Sequence, residues 1–580
     1  MAVMIIHQGQ PTYPAQEMGR VSRCREKRRD NSTALTWHGF CSRYRADLPK
    51  DPHDPLCTSR HAKESSMISR RDLIGRGSLL AGSSLLLLSG CNSAKTEDGP
   101  LVGTPKRGGR IRVGTVDPSA AGNLDAHKPT GAGIIRGWAL YSKLWEWTPD
   151  VTPRLALAEE AEIAPDGRSW VIRLKKGLEF HHGKTIGADD VIFSIRRLTD
   201  PNLASPFAAL LAPIDRDHID RLDDRTIRLH ARADQGLVPL SETWISFGGI
   251  VPTDYHPVTN PVGAGPFRLK EFSPGQRSVY TRFENYFKPG QPYVDELEII
   301  EFKDQQARTV ALLSGQIDVA DIVPAEQARL LSGSSLVDIV ESPTNGVQSF
   351  DMNLKHPIFA DERVRQAFRL FADRGDLVQR ALQGKGRIAN DLYAPHDPTY
   401  DLAIPQRVRD VAQARSLLKQ AGKSDLAVEL VASPAGASAA LVFAEQAKDA
   451  GINIRVKKVD EATFYSPEAR TWAISTGSIP ARGFLASGLH ADAPTAVSNR
   501  TNFHDPRFGA LFNAALAQPD IEKRKLLVHE AQKIQHQRGG LLIWGFAHVQ
   551  NAASKQIGGL GSERTQFAAW RFDELWRRDT

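Results

Sequence analysis

Between Met67 and Cys91 the chain reads MISRRDLIGRGSLLAGSSLLLLSGC, and this stretch separates what is to be folded from what precedes it. Arg70 and Arg71 form an adjacent pair in a short charged leader, the pattern read by the twin-arginine export system. Gly77 to Gly90 follows as an uncharged run of 14 residues dominated by leucine, serine and glycine. At about 1.5 Å per residue such a helix reaches roughly 21 Å, short of the ~30 Å hydrocarbon core. It therefore reads as a signal-peptide core rather than a membrane span. Leu88-Ser89-Gly90-Cys91 closes it as a lipobox-type processing site, with Cys91 as the residue to be lipidated. Two or more acyl chains on that cysteine hold a protein stably on a membrane surface.

The charge balance supports the division. The whole chain is formally +7, but residues 1–66 hold 11 Lys/Arg against 7 Asp/Glu, and residues 67–90 hold three Arg against one Asp. That leaves the body from Cys91 onward at +1, without the basic footprint of a nucleic-acid binder. Cys24, Cys41 and Cys57 precede the signal and Cys91 ends it, so the body has no internal disulfide and no cysteine metal site. Such a body can fold before twin-arginine export and work outside the cytoplasm. Residues 1–66 are rich in Arg, His, Pro and Asp and far exceed an ordinary leader, which fits a translation start at Met67. Residues 91–109 read as a flexible tether. The 490 residues from Cys91 to Thr580 suffice for two or three domains.

Regular structure is expected from Arg110-Ile111-Arg112-Val113, an alternating strand. Ala139 to Trp147 (ALYSKLWEW) has the spacing of a helix running into a strand. Ser169 to Leu174 alternates as a half-buried strand, and Lys176-Gly177 turns the chain. Ala188-Asp189-Asp190 opens a helix, with its acids at the favourable end. Asp361-Glu362 opens another, whose Val364, Ala367, Phe368 and Phe371 share a face. Asp410 and Gly422 bracket an amphipathic helix between them.

Leu155–Pro201 (LALAEEAEIAPDGRSWVIRLKKGLEFHHGKTIGADDVIFSIRRLTDP) resembles the signature region of family 5 extracellular solute-binding proteins, the peptide-type receptors of bacterial ABC importers. Further blocks follow in that family's order: Val262–Phe267, Glu284–Ile299, Ala311–Asp321, Phe350–Arg374, Ala412–Gly422 and Asn502–Ile534. The resemblance covers roughly residues 110–580. It implies an α/β, two-lobed periplasmic-binding-protein fold with a hinge and an extra inserted subdomain. Lobe one is then residues 110–345 with the inserted subdomain at about 150–262, lobe two is 346–546, and 547–580 return to lobe one. Hinge strands are expected near Val347–Asn353 and Leu541–His548, with Gly263 and Gly265 allowing tight backbone where a strand crosses between subdomains.

The implied function is delivery of a peptide or peptide-like solute to importer permease subunits, by a lipid-anchored monomer with no cofactor, no metal and no nucleic-acid partner. In peptide-binding relatives an acid in a lobe-two loop pairs with the ligand's α-ammonium. The matching segment here, Trp472 to Phe484 (WAISTGSIPARGF), has no acid, and Gly477 stands near the anchor position. Its single charge, Arg482, suits a carboxylate instead, gripped bidentately. Trp472 and Phe484 are candidates for an apolar wall, Ser475 and Thr476 for polar contacts, and Asp492 for a displaced ammonium partner. Against each stands a plainer role, as an exposed arginine, core aromatics or a turn residue.

Two other functions remain open, a lipid-anchored interaction or chaperone-like protein of the same fold and an extracytoplasmic hydrolase. The second lacks its chemistry. Gly177 and Gly183 enclose five residues where a phosphate loop needs four. His181 and His182 are adjacent, so on a strand they point apart. His529-Glu530 is followed by Lys533 where a zinc-protease helix needs histidine, and no G-x-S-x-G elbow occurs.

Overall fold

The alternating Arg110–Val113 stretch forms strand β1 (Arg110–Val116) in the computed structural model, which describes residues 103–117, 122–493, 496 and 498–578. Ile111 and Val113 are fully buried, while Arg112 on the opposite face grips both oxygens of Asp318 at 2.8–2.9 Å. The export signal with Arg70, Arg71 and Cys91 lies outside the described residues. The tether ends docked, because the Gly108 amide donates to Tyr293 and the Gly109 amide to Asp295.

Helix α1 (Gly133–Leu140) then leads to a short strand at Trp145–Trp147; the strand lies where the apolar spacing predicts it, but the helix runs earlier, holding only Ala139 and Leu140 of the stretch Ala139–Trp147. The next segment builds a separate four-stranded antiparallel sheet from β2 (Ala158–Ile163), β3 (Ser169–Leu174), β4 (Ile214–Arg221) and β5 (Thr226–Ala231), in the order β2-β3-β5-β4. Helix α2 (Ala188–Leu198) packs on this sheet and buries Val191, Ile195 and Leu198. Its Asp190 accepts the Gly187 amide and the Lys184 ammonium, which ties the lysine of the rejected phosphate loop to a structural acid. His181 bonds the Gly265 carbonyl at 3.0 Å, and among the described residues no group of His, Cys, Asp and Glu could hold a metal ion.

Gly263 and Gly265 press on the carbonyls that end α1, so closely that a Cβ on either would collide with backbone. The close approach is as expected, but the strand is not: β6 (Phe267–Ser273) begins only at the last residue of the block, beyond both glycines. It continues into β7 (Arg277–Arg282), β8 (Glu296–Phe302), β9 (Val319–Ala320) and the long β10 (Val337–Met352).

Beyond β10, helix α3 (Glu362–Phe371) is capped by Asp361 and buries Val364, Ala367, Phe368 and Phe371 completely. Burying Val364, Phe368 and Phe371 contributes roughly 1.5–3 kcal/mol each, which makes this face the anchor of its half of the molecule. Helix α4 (Val411–Gln420) is capped by Asp410 and followed by Gly422 at φ +65°, a left-handed residue that glycine adopts without strain. A βαβ unit follows, made of β11 (Ala427–Ala432), α5 (Ala437–Asp449) and β12 (Asn453–Lys458), with β11 and β12 parallel. The chain then enters β13 (Ile474–Ile479) and α6 (Phe484–Ala491). It continues through α7 (Pro506–Leu516), α8 (Ile521–Arg538) and β14 (Leu541–Ser554), and then through a short strand pair, Ile557–Gly558 with Trp576–Arg577.

Among the described residues the main sheet runs β12-β11-β13-β10-β14-β9-β1-β8-β7-β6. Its two halves meet in one antiparallel pair, β10 with β14. Residues 347–352 of β10 also pair with β13, whereas Ala552 and Ala553 at the far end of β14 pair with β9. Between Ser342 and Gly346 the register of the pair shifts, and it shifts again between Gln348 and Ser349. One pair of strands thus carries the chain from one lobe into the other, with its irregularity at the crossing.

Candidate functional site

The segment Trp472–Phe484, which the resemblance suggests is a loop, contains strand β13 at its centre, hydrogen-bonded along β10 from Val347↔Ile479 to Met352↔Ile474. This corrects the sequence reading, since pairing in a sheet overrides the weak strand preference of Ser475, Gly477 and Ser478 around the strand-forming Thr476. The correction also separates the residues. Trp472 stands before the strand, half-buried with its ring 5.9 Å from Phe464, while Arg482 follows the other end. Six strand residues lie between, about 20 Å at 3.3 Å each, so Trp472 does not share a site with Arg482.

Ser475 and Thr476 are buried, and the Thr476 hydroxyl accepts the Ser433 amide. Gly477 lies against the Asp351 carboxylate and Ser349 hydroxyl, where a Cβ would collide with both. Phe484 is fully buried against Tyr393 and Phe512, so its ring is core, not a ligand wall. Asp492 is also buried, with one oxygen held by the Gln535 amide at 2.7 Å and the other unbonded. Burial pushes its carboxyl up to about 7.

Arg482 is the exception. It occupies the turn between β13 and α6, largely enclosed, and its Nη1 is buried with no hydrogen-bond partner among the described residues. Burial alone brings its guanidinium down to about 10. A buried cation without a counter-charge is costly unless something else supplies one. Nearby His490 is held down to about 4 by burial and by the charges of Arg482 and Arg500, which keeps it neutral. His490 and Arg500 share a cavity of about 100 Å³ with Asp351, Gly477 and Ser478, and Arg500 itself lies over the Phe464 ring at 4.3 Å.

The start of α6 is also where the halves of the molecule touch. Its Phe484 amide donates to Asp397 at 2.6 Å. Glu242, from a single helical turn at Leu240–Thr243 in the first half, lies against Gly483 beside the same Asp397. Burial and the Asp397 charge push Glu242 up to about 8, partly offset by Arg524. These groups border a cavity of about 430 Å³ whose walls come from Trp145, Arg154 and Trp170 on one side and Leu485 and Arg524 on the other.

On the first half, aromatic rings form a continuous wall. Trp138 stacks on Phe567 at 4.6 Å, Phe207 stacks on Phe247 at 4.5 Å, and Phe247 meets Phe567 edge-on at 6.3 Å. Lys143 lies beneath this wall. Sequence reasoning passed over Lys143, Glu242, Asp397, His490 and Arg500. A lysine inside the apolar run ALYSKLWEW was the one local sign, because the others are assembled across distances in sequence that no local pattern records.

The family profile described as "Bacterial extracellular solute-binding proteins, family 5 Middle" matches residues 152–492, more than half of the chain. Heme-binding protein A of Haemophilus influenzae is 27% identical over 443 residues, covering 68% of this chain and 80% of that protein. The dipeptide-binding protein of Escherichia coli is 24% identical over 467 residues, covering 72% and 86%. Among solved structures, the binding protein AgaA of Agrobacterium tumefaciens R10 in complex with agropinic acid superposes with a TM-score of 0.69 at 22% identity, covering 81% of this chain and 99% of AgaA. DppA of Helicobacter pylori in complex with the peptide STSA gives a TM-score of 0.69 at 19% identity, covering 82% and 99%.

Proposed function

The chain belongs to the bacterial extracellular solute-binding proteins of family 5, and from that membership we propose that it captures a small peptide-like solute bearing a carboxylate. It is a solute-binding receptor of the type that serves ABC importers, and members of the family are binding proteins. The observation that carries the carboxylate is Arg482, a guanidinium with a buried, unbonded Nη1 and no acid at hand. A bidentate carboxylate supplies both the missing charge and the missing acceptor.

The solute is held between lobe one (110–345, returning at 547–580) and lobe two (346–546). The paired strands β10 and β14 act as the hinge. Ligand contacts to both lobes favour the closed form, which is the form an importer recognises. Export through the twin-arginine route, processing at Cys91 and lipid anchoring of a monomer complete the proposal, with no enzymatic step. A thermal-shift screen of peptides, opines, amino-sugar conjugates and metal chelates tests it. Free acids are expected to raise the melting temperature of the protein from Cys91 onward, and Arg482→Met to remove the effect. A screen in which no small solute shifts the melting temperature would favour the interaction-protein reading and overturn the receptor one.

A further inference from the structure

Ser349 and Asp351 lie two residues apart on β10, so their side chains leave the sheet on the same face. Ser349 pairs across the sheet with Gly477 of β13, and the Asp351 carboxylate fills the space that a side chain at Gly477 would need. Asp351 is only 8% exposed, and the Ser349 hydroxyl donates to one of its oxygens at 2.6 Å. Among the described residues its other oxygen accepts no hydrogen bond, and the carboxylate forms no ion pair. Burial pushes this carboxyl up, opposed by the Ser349 hydrogen bond and by the charge of Arg500.

Arg500 reaches the same cavity from the chain beyond α6. Its guanidinium lies 4.3 Å over the Phe464 ring and 5.2 Å from the centre of the Tyr465 ring, and it donates once, to the Phe464 carbonyl at 3.3 Å. It too forms no ion pair among the described residues, which leaves the rest of its planar fork unused. Asp351 and Arg500 are the charged residues on the wall of this cavity of about 100 Å³, and His490 beside them is neutral. Ser478 and Tyr465, also on the wall, are exposed, so the cavity opens to solvent. One water needs roughly 10–15 Å³ on this scale, which leaves room for a head of a few heavy atoms. A carboxylate and a guanidinium thus face one small cavity without joining each other. A cation satisfies one of them and an anion the other, whereas a group carrying both charges satisfies both.

We propose that this cavity receives a free α-amino-acid head, with Asp351 taking the ammonium and Arg500 the carboxylate borne on the same carbon. This rests on the receptor reading above and adds a second recognition group to it, in which Arg482 takes no part because it lies outside the cavity wall. In an ordinary peptide the two terminal charges stand at opposite ends. The ligand class therefore narrows to solutes that keep both on one carbon, such as a peptide linked through a side chain.

The test uses the protein from Cys91 onward and two isomers of equal charge, γ-glutamyl-phenylalanine and α-glutamyl-phenylalanine. The first keeps the ammonium and a carboxylate on one carbon, and the second does not. Calorimetric titration is expected to show the γ-isomer binding at least about tenfold tighter. Asp351→Asn and Arg500→Gln should each bring the γ-isomer to the level of the α-isomer, and if one variant fails to fold the other decides. Arg482→Met, which bears on the carboxylate reading alone, should weaken both isomers alike and leave the preference intact. Equal affinities in wild type overturn the head assignment, while their common loss in Arg482→Met would leave the receptor reading standing. A preference that survives in the Asp351 and Arg500 variants overturns the roles given to them, and failure of the γ-isomer to bind overturns the assignment outright.

Discussion

Asp391 holds three arginines in the interior of the second lobe. Arg374 reaches both of its oxygens at 2.8 Å, Arg407 bonds one at 2.7 Å, and Arg369 stands at 3.8 Å. All of these charges are remote from water, and removing one member of such a group typically costs about 3–5 kcal/mol because the others are left buried and unpaired. Asp391→Asn is expected to lower stability by that amount in a denaturant titration; a loss under about 1 kcal/mol would contradict the placement. Glu242 offers a titration instead. Its carboxyl, pushed up to about 8, holds a proton in the folded state that it releases in the unfolded chain above its ordinary 4.5. Its contribution to stability is therefore complete below pH 4.5 and is lost as pH rises through 8. Glu242→Gln should melt close to wild type at pH 4.5 and above wild type at pH 8.5. An equal offset at both pH values would contradict a protonated Glu242 at the lobe contact.

At the scale of elements, the sequence was most legible where local chemistry and tertiary packing agree. The α3 pattern, with Asp361 at its start and four apolar residues on one face, is the helix found, because the capping acid and the buried stripe demand the same period. Phe368→Ala there should cost about 3–5 kcal/mol, read by thermal or chemical unfolding, since the void opens among Phe359, Phe371 and Phe443. A cost below about 1 kcal/mol would mean the cluster collapses to refill it. β13 was not legible. Its polar centre reads as a loop, and its strand conformation is set by β10, more than a hundred residues earlier. The same distance hid the site. Arg482 stood out as the one charge in its segment, but its burial is a property of what packs around it, as is the aromatic wall over Lys143.

At the scale of the whole molecule, two lobes share one sheet and are joined through β10 and β14, whose register shifts between Ser342 and Gly346. Under the carboxylate reading proposed above, the unbonded Arg482 Nη1 is what a receptor that closes on an anion requires before the solute arrives. The measurement that tests this most directly is calorimetric titration of the best solute from the thermal screen, as its free acid and as its carboxamide, into wild type and Arg482→Met. The free acid is expected to bind wild type at least about tenfold tighter than the amide, a difference of about 1.4 kcal/mol or more, and the variant to bind both alike. Equal affinities for acid and amide in wild type, or discrimination that persists in Arg482→Met, would contradict the account.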